Sequence, residues 1–158
     1  MNQIAEHDFT TNLFKLLKET FEGPPQEGGS AYLDKGAGLF QTLDAVTAEI
    51  ASRSASPGAP TIAAHCAHVR YYVEVLGAYL GGQDPKVDWA ASWRTPHVGP
   101  AEWDALRHNM RSGYEALSQT LLGVRTWNDD PVGDSMAIVV HTAYHLGAIR
   151  QVLRVVEA

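Results

Sequence analysis

What the chain has least of narrows its reading first. It contains one cysteine, Cys66, so no internal disulfide can form, and a reducing, cytoplasmic setting is the expectation. Basic residues are the minority: 12 Lys and Arg stand against 18 Asp and Glu, a net charge of −6 with the histidines neutral. There is no basic stripe, and without one a protein does not bind nucleic acid by releasing counterions from phosphates. No apolar run approaches the roughly 20 residues that a membrane span needs. The opening MNQIAEHDF has no basic segment followed by an apolar one, so no signal-peptide pattern is expected. Strand alternation, repeats, low-complexity tracts and domain linkers are also missing. What remains is a single domain over residues 1–158, with an ordinary apolar content of 45% and enough chain for a full core.

What is present is helical periodicity. Phe9, Leu13, Phe14, Leu17 and Phe21 recur at three- and four-residue steps and predict a helix from Gln3 to Glu22, ended by Gly23-Pro24-Pro25. A second helix is expected from Ala37 to Ser54 on the stripe Leu39, Phe40, Leu43, Val46, Thr47 and Ile50. A third starts near Pro60-Thr61 and runs to Leu80, where Gly81-Gly82 stops it. Residues 83–99, QDPKVDWAASWRTPHVG, have no helical period and read as an ordered loop anchored by Trp89 and Trp93. A fourth helix opens with Pro100 and Glu102 and ends at Gly123. The last is expected over residues 135–156, with Asp134 or Ser135 as its N-cap. Helices of this length joined by loops predict an all-α, antiparallel four-helix bundle with its core at about 37–157 and the N-terminal helix packed outside.

The last helix carries His141 and His145, four residues apart and therefore on one face, together with Ile138, Ile149, Val152 and Val156. Two inward imidazoles on one turn are half of a metal site, and a facing helix has to supply the rest. The third helix offers His65 and His68. The apolar stripe Ile62, Cys66, Val69, Val73, Leu76, Leu80 places His65 nearer its centre, so spacing alone leans to His65. His7, His97 and His108 read as surface or capping residues. Cys66 and Trp103 read as core, Tyr144 as packing and Glu74 as solvent-facing. Arg150 suits either an anion near the site or, more ordinarily, a carboxylate across the bundle. Each ligating imidazole is expected to give its second nitrogen to a carbonyl, carboxylate or water.

The segments HTAYHLGAIRQ and TIAAHCAHVRYYVEVL, with DWAASWR and PAEWDALRHNMR, resemble the DinB-like (DinB/YfiT-type) superfamily of small metal-binding bundles over most of residues 36–156. There, a His about seven residues after the Ser or Thr that opens its helix joins a His-x-x-x-His pair. Counted from Thr61 that residue is His68, so the resemblance implies His68, His141 and His145 as metal ligands, and replacing His65 is expected to leave binding nearly intact. It implies a divalent metal ion, zinc or nickel, and a metal-dependent enzyme of the transferase or isomerase type acting with a low-molecular-weight thiol, or a hydrolase. The N-terminal helix and its GPPQEGG loop depart from the simplest members.

A second class of function stands beside this one: a metal-binding or stress-related interaction protein without turnover. No carboxylate flanks the histidine pair as in His-Glu-x-x-His, which weakens hydrolysis more than thiol transfer. The expected partners are a small molecule or thiol and, from the apolar stripe Phe9 to Phe21, a second copy of the chain as a homodimer, with neither nucleic acid nor membrane.

Overall fold

The computed structural model describes residues 4–158. Among them it is all-helical, with six α-helices, one short 3-10 turn and no strand. Among the described residues no helix is long and apolar enough to cross a membrane.

Helix α1 spans Glu6–Glu22. Its expected start at Gln3 lies outside the described residues, and Ile4 and Ala5 precede the helix. Gly23 ends it in the left-handed region at φ 94°, where only glycine sits without strain. The loop that follows is pinned back by a buried carboxylate. Glu19 accepts hydrogen bonds from the backbone N–H groups of Ala31, Tyr32 and Leu33 at 2.7, 2.7 and 2.8 Å.

The continuous helix expected over residues 37–54 is broken in two, α2 Leu39–Asp44 and α3 Ala48–Ala51. Thr47 is the reason: a threonine side chain competes with the helix for backbone donors, and here it caps α3 by accepting from Ile50 N–H at 3.3 Å. The break also frees the Val46 carbonyl, which accepts the Trp103 indole N–H at 2.7 Å. Two such short helices leave one side of the core uncovered, and α1 fills it. Leu13, Leu17 and Phe21 are buried in the same core as Leu39 and Leu43, so the expectation that α1 packs outside is corrected.

Helix α4, Ile62–Leu80, is the central element, with buried residues around most of its girth near its start. Thr61 caps it, accepting from Ala64 N–H at 3.1 Å while donating to the Pro96 carbonyl at 2.8 Å. Helix α5 spans Pro100–Gly123, with the Glu102 carboxylate accepting from Gly99 N–H at 2.8 Å. Helix α6 spans Asp129–Val156 and starts a turn and a half before the expected cap at Asp134 or Ser135. Pro131 sits in its first turn, where the missing N–H would have had no partner in any case.

The expected antiparallel arrangement holds for α4 with α6, where His65 meets His145 and His68 meets His141. It fails for α4 with α5. Gly77 faces Leu117, Gly81 faces Thr120 and Gly113 faces Val73, so positions advance together and the two helices run parallel. Parallel neighbours require a connection that returns the full length of the first helix. A helix of 19 residues is about 28 Å long, and residues 81–99 are long enough to span that distance when extended. This crossover runs back along α4 and carries the 3-10 turn Ala91–Trp93 against it.

Candidate metal centre

The site is built where α4, α6 and the crossover meet. One nitrogen from each of His68, His141 and His145 lies within 4.8 Å of the others, and the three could hold one metal ion. Among the described residues no carboxylate or thiol joins this cluster. His68 Nε2 is 3.1 Å from His141 Nε2.

The orientation of His68 is set by the crossover. The Ser92 hydroxyl lies 2.6 Å from the Trp89 carbonyl and donates its single hydrogen there. It therefore accepts from His68, whose Nδ1 is 2.7 Å away. That fixes the tautomer by the hydrogen-bond network: Nδ1 carries the proton and Nε2, the nitrogen facing His141, presents a bare lone pair. Trp93 lies flat on the outer face of the same imidazole, with ring centroids 4.0 Å apart and planes at 20°. Tyr72, one turn beyond His68 on α4, does the same to His141 at 3.7 Å and 11°.

His65, which spacing alone favoured, lies outside the triad but is not idle. Its Nδ1 is 2.9 Å from His145 Nδ1. One of the two rings carries the intervening proton, and the contact fixes the plane of His145 and leaves its Nε2 for the cluster. The second nitrogen of His68 is held by a serine and that of His145 by a fourth histidine, where carbonyls, carboxylates or waters were expected. His141 Nδ1 is buried with no hydrogen-bond partner, and so is the neighbouring Thr142 hydroxyl.

The electrostatics follow from burial. Desolvation disfavours the imidazolium form, and all but His68 also feel a neighbouring ring. His145 is pushed down to about 3 by burial and then by His141, His65 and His68. His141 is pushed down to about 4 by burial and then by His68. His65 is lowered by burial and then by His68, and His68 by burial alone. All four rings are neutral at pH 7, the form in which an imidazole ligates a metal. Three neutral imidazole nitrogens close together, one of them oriented by a serine, could hold a metal ion.

The other sequence candidates are accounted for. Cys66 is fully buried, and burial pushes its thiol up to about 12 against the pull of Arg70 and Arg107, so it is core. His7, His97 and His108 are exposed. Glu74 pairs with Arg70 at the surface. Arg150 donates to the Thr42 hydroxyl at 3.3 Å and makes no ion pair among the described residues. Tyr144 is exposed rather than packed, its ring edge-on to His145 at 4.9 Å. Trp93 belongs to the site and is more than a loop anchor. Sequence reasoning missed Ser92, Trp93 and Tyr72. Only Tyr72 left a signal, its place four residues after His68; the other two are on a loop whose path no periodicity describes.

The chain matches no family model, and no curated protein or solved structure matches it significantly.

Proposed function

We propose that the protein is a divalent-metal-binding helical bundle of the DinB-like type, in which His68, His141 and His145 hold one zinc or nickel ion. The long helices α1, α4, α5 and α6 are its four bundle helices. The observation that carries this reading is the convergence of three neutral imidazole nitrogens within 4.8 Å, one of them turned inward by Ser92. Three protein nitrogens leave at least one position for water or substrate.

A divalent ion held there supplies Lewis acidity, enough to bring bound water to a pKa of about 7 or to keep a bound thiol as thiolate. The chain's own residues orient and shield. Ser92 fixes His68, His65 fixes His145, and the flat faces of Trp93 and Tyr72 keep water from two of the rings. The absence of a carboxylate from the cluster among the described residues leaves no general base beside the open position. This favours transfer or isomerisation with a low-molecular-weight thiol over hydrolysis, because a thiolate stabilised by a metal needs no separate base.

Elemental analysis of protein purified without an affinity tag, in the cytoplasmic setting of its expression host, is expected to return one equivalent of zinc or nickel per chain. His68→Ala, His141→Ala and His145→Ala are each expected to return none. One tight equivalent in the triple variant would place the metal elsewhere and end this reading. A non-catalytic metal-binding role is the outcome if the metal is present but thiols leave the absorption spectrum of a cobalt-substituted sample unchanged.

A further inference from the structure

The apolar stripe of α1 turns Leu13, Leu17 and Phe21 into the core of its own chain and leaves Phe9 and Phe14 partly buried. The unpartnered surface lies on α6. Between Gly133 and Gln151 the solvent-facing residues of that helix, read in order, are Gly133, Met136, Val140, Tyr144, Gly147 and Gln151. Met136 is 52%, Val140 66% and Tyr144 71% exposed, one turn apart along the helix. No charged residue interrupts them, whereas the solvent face of a globular helix is ordinarily charged. The patch continues into an apolar cavity of about 380 Å³ between α1 and α6, lined by Phe9, Leu16, Met136 and Val140, with Ile4 80% exposed at its edge.

The charges at the two ends identify the occupant. On this same face, exposed Asp129 and Asp130 stand at the start of α6 and exposed Arg154 stands at its end. A helix face that is acidic at one end, basic at the other and uncharged between is complementary to itself turned end for end. We propose that two copies of this chain associate through α6, antiparallel about a two-fold axis near Val140 and Tyr144. In that register Met136 lies over Gly147 of the second copy, a large side chain against a missing one. Val140 meets Tyr144, and Asp129 meets Arg154. The contact is isologous, as a closed dimer requires. A helix of 28 residues is about 42 Å long, long enough for the opposed ends to meet in this register. The dimer stands independently of the metal reading, although Tyr144 brings its edge next to His145.

Sedimentation velocity of the full chain across the micromolar range tests it. The wild type is expected to sediment as a dimer. Val140→Asp, which buries two like charges at the two-fold axis, is expected to be monomeric with an unchanged circular dichroism spectrum. Arg154→Asp is expected to raise the dimer dissociation constant about tenfold at low salt, by replacing two opposed pairs with two repulsive ones. Arg154→Asp combined with Asp129→Arg is expected to recover association, since the swapped charges again oppose each other across antiparallel copies. A wild type that is monomeric throughout, a dimer that survives Val140→Asp, or a double variant no better than Arg154→Asp alone would each overturn the proposal. The double variant also separates a second copy from any other partner, because only an antiparallel copy sees both swaps at once.

Discussion

Replacing Ser92 by alanine isolates the crossover's part in the metal centre. The Ser92 hydroxyl joins three things: it accepts from His68 Nδ1 at 2.7 Å, donates to the Trp89 carbonyl at 2.6 Å, and is buried. Ser92→Ala removes no ligand but leaves the His68 N–H and the Trp89 carbonyl without their partner. Loss of a group that orients a metal-bound histidine weakens metal affinity about 10- to 100-fold, which is about 1.4–2.8 kcal/mol. At a fixed excess of zinc, the metal-induced gain in stability falls by the same amount. For a chain of this length, that is about 3–10 °C of the zinc-induced rise in Tm. The measurement is a competition titration against a chromogenic chelator, paired with thermal melts with and without zinc. Ser92→Thr, which keeps the hydroxyl, is the control and is expected to stay within a few-fold of wild type. An alanine variant that binds zinc as tightly as wild type would mean that Ser92 does not orient a ligand, and the tautomer argument for His68 would fail.

His65→Ala is expected to keep one equivalent of metal but bind it about 10-fold or more weakly, because His65 holds the ring of His145; chelator competition distinguishes this from the stoichiometric loss expected for His68→Ala. Glu19→Gln bears on acid stability. Burial raises the Glu19 carboxyl, but three backbone N–H groups and Lys15 together outweigh it and hold the carboxyl below the ordinary glutamate range. A depressed carboxylate stabilises the fold above its unfolded pKa and loses that contribution as the pH falls through its folded value. The advantage of wild type over Glu19→Gln in urea melts is therefore expected to be full at neutral pH and to shrink below the ordinary glutamate range. An advantage that is constant down to pH 3 would refute the assignment. Trp103→Phe leaves the Val46 carbonyl, 2.7 Å from the indole nitrogen, without its donor, and is expected to cost about 1–3 kcal/mol in the same assay.

Some of this protein could be read from residue order alone. The starts of α4 and α5, the end of α1 and the shared face of His141 and His145 follow from Thr61, Pro100, Gly23 and a four-residue spacing. These depend on forces acting within one turn of helix: capping, proline's lost donor, the 3.6-residue period. The break at Thr47 was within reach of the same logic, but the stripe running from Leu39 to Ile50 hid it, and the carbonyl it frees for Trp103 is a contact with a residue far along the chain. The early start of α6 was hidden by Pro131, which reads as a breaker until it is seen to lie in the first turn. What only the tertiary structure decided is the direction of α5 and everything that follows from it. Local periodicity is the same for parallel and antiparallel neighbours, so nothing in residues 81–99 reveals that they cross back along α4. That path brings Ser92 and Trp93 to His68. The histidines themselves were legible because a helix sets their spacing; the residues that orient them were not, because a loop's course is set by the packing of the helices it joins.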